Sequence, residues 1–197
     1  MNKNKQDVIT FFDHYASTWD ADMIRNESVI NTILDNGGVT TGCTVLDVAC
    51  GTGVLFPDYL QRNVKSVTAV DISPEMARIA ASKYPDRPIE VICGDIETLS
   101  LDQKFDCCMV YNAFPHFPDP KRLITVLSSH LKPDGILSVA HDMSREWINR
   151  HHEGRASKVS MGLLSEQELS NIFAQYLEVT TVISDDTMYQ VCGRKPI

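Results

Sequence analysis

Short apolar runs alternate with amphipathic stretches along most of the chain. Five runs have the length and apolar content of strands, at Thr44–Val48, Ser66–Val70, Ile89–Cys93, Phe105–Tyr111 and Ile136–Ala140. Helical spacing of apolar residues predicts helices at Val54–Arg62, at Pro74–Tyr84, in a short piece near Ile96–Leu99, and from Asp119-Pro120 onward. Strands that alternate with helices in this way predict a doubly wound α/β sheet.

The C-terminal part of the chain adds one helix and two strands. Ser165 and Glu168 form a capping-box pattern that begins the helix. Two β runs follow, Glu178–Ile183 and Thr187–Gly193, and only residues 184–186 join them. Because so short a connection cannot cross over to a parallel neighbour, these two strands are expected to pair antiparallel. The predicted sheet therefore has seven strands and is mostly parallel, with an antiparallel last strand.

The N-terminal segment carries an apolar stripe at helical spacing, formed by Val8, Phe11, Phe12, Tyr15 and Trp19. A second helix is expected from Met23 to Leu34. The spacing by itself fits a helix that packs on the core.

Composition narrows the class of protein. The 197 residues fit one domain, and 43% hydrophobic and 22% charged residues are ordinary for a globular chain. A formal net charge of −8 argues against nucleic acid as a partner. No apolar run approaches the roughly 20 residues that span a bilayer, and the N-terminus lacks a signal-peptide core. A cytoplasmic location without a membrane partner is expected.

The six cysteines do not suggest a metal or redox motif. None of them has C-x-x-C spacing. Most lie in strand-like runs, where a free cysteine packs as a small hydrophobe. Cys43, Cys93, Cys107 and Cys192 are therefore expected in the core.

A glycine loop follows the first predicted strand in Val45–Gly53, VLDVACGTG. Gly51 and Gly53 let backbone N–H groups approach a ligand closely, and in such a fold this loop opens at the carboxyl edge of the sheet, where ligands bind. No Gly-Lys-Ser/Thr follows, which excludes a P-loop. A dinucleotide site and an S-adenosylmethionine site both remain compatible with the glycines.

Aspartates mark the ends of three successive predicted strands. Asp71 is placed to accept hydrogen bonds from both ribose hydroxyls, and Asp95 could accept one from an adenine amino group, with Ile72 and Ile96 beside the ring. Asp47 separates the two ligand classes, because a carboxylate there would repel a pyrophosphate and attract an ammonium and a sulfonium. Phe56 stands where a dinucleotide fingerprint has its third glycine, which also disfavours a nicotinamide oxidoreductase.

These residues resemble the class I S-adenosylmethionine-dependent methyltransferases of small-molecule type. The matching stretches are Val45–Gly53, Val70–Met76, Gly94–Glu97 and Phe105-Asp106. The resemblance implies a Rossmann-like methyltransferase fold with a reversed last strand and S-adenosylmethionine as cofactor. It implies that the glycine loop contacts the methionyl part. The predicted cofactor site comprises Asp47, Ala49, Cys50, Gly51, Gly53, Asp71, Ile72, Met76, Gly94, Asp95, Ile96, Tyr111 and Asn112.

The loop after the fourth predicted strand should border the transferred methyl group. It lacks the Asn/Asp-Pro-Pro-Tyr tetrad of nucleic-acid amino-methyltransferases and looks like the loop of small-molecule enzymes. His116 is the candidate catalytic base and, with Phe114, a candidate substrate contact. Equally, His116 could simply pack this aromatic loop against the next helix.

The resemblance implies a substrate-side insertion at residues 141–164 and lid helices at residues 1–36, which would bring Tyr15 and Trp19 toward the substrate. The apolar stripe of the N-terminal segment fits such a lid and ordinary core equally well. His141 and Arg145 are candidate substrate contacts, and the insertion's basic residues could meet an anionic acceptor. The alternatives are a solvated helix face and a metal site of His141, His151 and His152, whose spacing fits no standard site, so no metal is predicted.

The predicted function is methyl transfer from S-adenosylmethionine to a small, possibly anionic, acceptor. The alternative is a non-catalytic protein or subunit that binds S-adenosylmethionine.

Overall fold

The computed structural model describes residues 5–21, 23–152 and 158–197. Its centre is a seven-stranded sheet in the order β3-β2-β1-β4-β5-β7-β6. Only β7 runs antiparallel to its neighbours, β5 and β6, so the predicted fold is confirmed. The strands are β1 (Thr44–Val48), β2 (Ser66–Asp71), β3 (Ile89–Cys93), β4 (Phe105–Tyr111), β5 (Leu131–His141), β6 (Glu178–Ser184) and β7 (Tyr189–Arg194).

Seven α-helices surround or flank the sheet in the described part of the chain. They are α1 (Lys5–Tyr15), α2 (Glu27–Asn36), α3 (Phe56–Gln61), α4 (Pro74–Lys83), α5 (Pro120–His130), α6 (Arg145–His152) and α7 (Glu166–Phe173). Short 3-10 turns occur at Ala16–Thr18 and Phe114–His116. The predicted caps are present, since Asp119 accepts from the Arg122 amide and Ser165 and Glu168 form a capping box.

Two elements differ from the sequence prediction. Helix α2 begins at Glu27 rather than near Met23, because the Asn26 side chain caps it by accepting from the Val29 amide. Strand β5 begins at Leu131, where the sequence predicts a turn. The turn is present as a bulge inside the strand, since the register jumps from Phe105↔Leu131 to Cys107↔Ile136. The segment near Ile96–Leu99 forms a single turn and no helix.

The core has two layers, one on each face of the sheet. One packs β4, β5 and β7 against α5 and α7, around Leu123, Leu127 and Phe173. The other packs β1 and β2 against α2 and α3, around Ile33 and Phe56. Of the cysteines expected in the core, Cys93 is exposed, because it ends the edge strand β3.

Helix α1 contributes little to either layer. Val8 is its one buried residue in the described part, and Trp19 after it is 38% exposed. Among residues 5–21, 23–152 and 158–197, no helix is long and apolar enough to cross a bilayer.

Candidate functional site

The glycine loop turns sharply as it leaves β1. Its backbone has positive φ at Ala49, Gly51 and Gly53, with values of 55°, 56° and 84°. A Cβ at Gly53 would lie 2.5 Å from the Phe56 ring, so glycine is required there by both conformation and space. A Cβ at Gly51 would meet nothing within 4 Å. The loop is therefore packed closely against Phe56 at Gly53, and it leaves open space for a ligand beside Gly51.

Asp71, at the end of β2, holds this loop and the start of α4 together. Its two carboxylate oxygens accept from the Gly51 and Ser73 amides, each at 2.8 Å. Burial raises the pKa of Asp71, and these N–H donors act against that rise. Each carboxylate oxygen has a second lone pair, so the group can still accept the two ribose hydroxyls predicted for it.

Asp47 lies beneath the loop and is 2% exposed. Its Oδ2 atom and the neighbouring Tyr59 hydroxyl are both buried without a hydrogen-bond partner in the described structure. Burial, and then the charge of Asp71, raise the pKa of Asp47 to about 7. An orphaned carboxylate beside an open glycine cradle fits the ammonium group of S-adenosylmethionine, because a cation would supply the missing partner.

The raised pKa of Asp47 predicts a distinct pH dependence of stability. The folded protein holds the Asp47 proton up to about pH 7, whereas the unfolded chain releases it near the ordinary value of 3.8. The folded state therefore binds more protons in this window, and the free energy of unfolding falls as the pH rises from about 4 to about 7. The expected contribution reaches about 1.4 kcal/mol per pH unit.

Urea unfolding of the wild type and of Asp47→Asn across this range measures the effect. The variant should lack this part of the slope and be the more stable of the two at pH 8, yet bind S-adenosylmethionine more weakly. Parallel pH profiles for the two proteins would contradict the assignment of the raised pKa to Asp47.

Asp95 pairs with a residue that sequence reasoning missed. Lys5, at the start of α1, approaches the carboxylates of Asp95 and Glu97 at 2.5 and 2.6 Å. Burial alone would lower the pKa of Lys5, but the hydrogen bonds to both acids outweigh it and raise the pKa. Ninety residues separate Lys5 from Asp95, so only the folded chain reveals the pair.

Two further aspartates fasten the N-terminal segment to the same edge. Asp13 accepts from the Ser73 hydroxyl at 2.5 Å and from the Glu75 amide at 3.1 Å. Asp20 accepts from the Thr52 hydroxyl in the glycine loop at 2.5 Å and pairs with Lys83 at 2.6 Å. The N-terminal segment therefore contacts the loops after β1, β2 and β3, where a lid would have to lie.

His116 lies where this segment meets the loop after β4. Its ring packs edge-on against Phe12 of α1, with ring centroids 5.0 Å apart. Its Nδ1 lies 3.0 Å from the Val159 carbonyl oxygen. A carbonyl only accepts, so in the neutral ring Nδ1 carries the proton and Nε2 keeps its lone pair. Phe114, the other candidate in this loop, belongs to the core at 2% exposure.

The ends of β4 and β5 are joined by a polar pair. Asn112, with a φ of 52°, donates from Nδ2 to Asp142 at 2.8 Å and accepts from the Asp142 amide at 3.2 Å. Burial and then Asp142 raise the pKa of Tyr111. This pair holds the carboxyl ends of β4 and β5 together, next to the loop that contains His116.

The two candidate substrate contacts near the end of β5 differ in their exposure to solvent. His141 is buried at 2% exposure, and its ring lies edge-on to Tyr189, 6.2 Å between centroids. Arg145 is partly exposed, and its Nε donates to the Leu163 carbonyl at 3.1 Å. The metal alternative falls partly outside the description, because nothing is described of the His151 and His152 side chains.

The structure brings most predicted cofactor residues to the carboxyl edge of β1–β4. Met76 and Ile96 are almost fully buried there, at 1% and 3% exposure, and Cys50 is 3% exposed. Burial, and then the charge of Asp47, raise the pKa of the Cys50 thiol well above its usual range, which agrees with a loop residue rather than a nucleophile. Tyr15 and Trp19 lie at the end of α1 and after it.

Comparison with known proteins finds methyltransferases. A family model described as "Methyltransferase domain" matches residues 46–139. A malonyl-[acyl-carrier protein] O-methyltransferase of Priestia megaterium is 27% identical over 91% of this chain and 67% of its own length. A ubiquinone biosynthesis O-methyltransferase of Xanthomonas campestris is 34% identical over 49% of this chain and 41% of its own. The chain thus spans between two fifths and two thirds of these relatives.

Solved structures share the fold at lower identity. The N-methyltransferase NodS of Bradyrhizobium japonicum, in complex with S-adenosylhomocysteine, gives a TM-score of 0.76 at 15% identity, over 96% of this chain and 98% of NodS. The [4+2]-cyclase SpnF gives 0.78 at 18% identity, over 98% and 96%. These likenesses show the fold alone, and the cyclase shows that this fold does not by itself fix the reaction.

Proposed function

Since the chain is an S-adenosylmethionine-dependent methyltransferase, we propose that it methylates a small acceptor that carries an acidic group. His116 is the observation that carries this proposal. Its ring is held between α1 and the segment at Val159, with the lone pair assigned to Nε2. A side chain so held can take a proton from an acceptor hydroxyl.

The proposed roles of the chain's own residues follow from their places. Bound S-adenosylmethionine supplies an activated methyl group on a sulfonium that leaves as a neutral thioether. Asp71 and Asp95 hold the nucleoside, and Asp47 with the glycine loop holds the methionyl end. The N-terminal segment excludes water above them through Asp13 and Asp20.

The small size and the acidic character of the acceptor have separate support. The N-terminal segment is fastened to the sheet edge at Lys5, Asp13 and Asp20, and a cover held there favours a small acceptor. Arg145 offers charge for an acidic group. The relatives named for malonyl-acyl carrier protein act on a carboxyl-bearing group.

Replacing His116 with Gln tests the proposed base. Gln can hydrogen-bond but cannot accept a proton, so kcat should fall by about 10²–10⁴-fold on a hydroxyl acceptor. Affinity for S-adenosylmethionine should change less than about twofold, because the cofactor residues lie elsewhere on the edge. Exposed His14 on α1 offers the control, His14→Gln, which should retain kcat.

The assay is production of S-adenosylhomocysteine with a pair of hydroxyl acceptors, 3,4-dihydroxybenzoate and its neutral amide. Turnover of the acid over the amide supports the proposal. Tight S-adenosylmethionine binding without turnover of any acceptor would favour the non-catalytic alternative, and unaltered kcat in His116→Gln would reduce His116 to packing.

A further inference from the structure

Tyr189 carries a buried hydroxyl that contributes no hydrogen bond to the described fold. It is the first residue of β7, is 0% exposed, and packs in the core layer with Ile148, Leu163 and Phe173. Its hydroxyl has no hydrogen-bond partner in the described structure. An orphaned buried hydroxyl costs about 1–3 kcal/mol, so phenylalanine would serve the core better.

The topology places Tyr189 at the carboxyl edge of the sheet, where the candidate site lies. Strand β7 runs opposite to β5, so its first residue lies beside the last residue of β5, with Tyr189 paired to His141 in the register. The two rings are 6.2 Å apart. Tyr189 thus stands at the same carboxyl edge as the glycine loop and the loop of His116.

Arg145 supplies a second group at this place. Its Nε is taken by the Leu163 carbonyl, and no described residue accepts a hydrogen bond from its two terminal nitrogens. Leu163 packs in the same buried cluster as Tyr189, so this hydrogen bond anchors the Arg145 guanidinium at the cluster that holds the tyrosine. The Tyr189 hydroxyl and the terminal nitrogens of Arg145 are therefore donors at one cluster that have no acceptor among the described residues.

We propose that the Tyr189 hydroxyl and the Arg145 guanidinium form the subsite that binds a carboxylate of the acceptor molecule. The inference rests on the proposed function, because it concerns the acceptor of that reaction. Both groups donate, and only Arg145 is charged, so a carboxylate oxygen satisfies both at once. Tyr189 and Arg145 are then specificity-determining residues and need not touch the transferred methyl group.

Burial raises the pKa of the Tyr189 phenol, and the nearby carboxylates of Glu166 and Glu168 add to that rise. Removing one of these negative charges tests whether the subsite binds an anion. Glu168 is committed to the capping box, where it accepts from Ser165. Glu166 lies in the first turn of α7 and makes no such bond in the described structure. Because its charge opposes an incoming carboxylate, Glu166→Gln should tighten binding of an anionic probe.

The experiment titrates the protein saturated with S-adenosylhomocysteine with malonamate, which carries one carboxylate, and with neutral malonamide as the matched probe. Malonamate should bind at least about tenfold more tightly than malonamide. Tyr189→Phe and Arg145→Gln should each remove about tenfold of this preference. Tyr189→Phe should also keep or raise the melting temperature, so that a loss of malonamate binding in this variant cannot come from a destabilised fold.

Matched variants complete the test. Tyr176→Phe, in the turn that follows α7, and Arg87→Gln, exposed just before the edge strand β3, should bind malonamate as the wild type does. Equal binding of the two probes, or wild-type malonamate binding by both Tyr189→Phe and Arg145→Gln, would overturn the subsite alone. The protein must first be saturated with S-adenosylhomocysteine. If it does not bind this ligand at all, the proposed function is overturned instead.

Discussion

Replacing Asp71 with Asn is expected to weaken binding of S-adenosylmethionine by about 100-fold or more. Both oxygens of Asp71 already accept backbone amides, from Gly51 and Ser73. Asparagine has one oxygen, so its NH₂ group would face one of these donors and the loop would lose a bond. Hydrogen bonds to a charged group contribute about 1.5–3 kcal/mol each, and the proposed ribose contacts would be lost as well. Calorimetric titration with S-adenosylmethionine and S-adenosylhomocysteine measures the change.

Asp106 provides the matched control for Asp71. It accepts from the Thr44 amide and hydroxyl, both at 2.7 Å, and pairs with Lys132 at 2.9 Å. It lies at the start of β4, on the edge of the sheet opposite the glycine loop. Asp106→Asn should lower the melting temperature and leave cofactor affinity unchanged. Wild-type affinity in Asp71→Asn would show that Asp71 does not hold the ribose.

The strands could be predicted closely because their signals are local. Three of them, β1, β3 and β4, have the predicted bounds, and the three-residue connection before β7 was enough to predict its reversal. Strand β5 was predicted short because Pro133 and Gly135 are turn residues. The antiparallel neighbour β7 begins pairing only at Ile136, while Leu131 pairs separately with Phe105, and this tertiary pairing lengthens the strand around a bulge.

The site was predictable only where its residues follow strand ends. Asp47, Asp71 and Asp95 could be placed because parallel strands end at one edge. Lys5, Asp13 and Asp20 could not, since their partners lie far along the chain and their own spacing carries no signal. Tyr189 was missed for another reason, because an apolar β run gives no indication that one hydroxyl in it lacks a partner.

The apolar stripe of α1 was enough to predict a helix, but it did not determine what the helix covers. It gave two interpretations, core and lid, that the spacing could not separate. In the structure Val8 is buried, Phe12 packs on His116, and Trp19 is exposed. Polar contacts at Asp13 and Asp20 hold the segment instead of a large apolar interface, which suits a cover that opens for ligand exchange.

Replacing Gly51 with Ala is expected to separate cofactor binding from folding. Gly51 has a φ of 56°, and an added Cβ would meet nothing within 4 Å. The left-handed conformation costs alanine about 1–2 kcal/mol, so the protein should fold with a melting temperature lowered by a few degrees. The new methyl group would nevertheless occupy the open side of the loop, and affinity for S-adenosylmethionine should fall by about tenfold or more.

Gly42 makes this prediction decisive because it shares the strain without the site. Its φ is 82°, an added Cβ would also meet nothing within 4 Å, and it precedes β1 at the opposite edge of the sheet. Gly42→Ala should therefore lower the melting temperature about as much as Gly51→Ala and leave cofactor affinity within about twofold. If both variants bind S-adenosylmethionine as the wild type does, the open side of the glycine loop does not hold the cofactor. If Gly42→Ala weakens binding equally, backbone strain rather than occupied space accounts for the loss at Gly51.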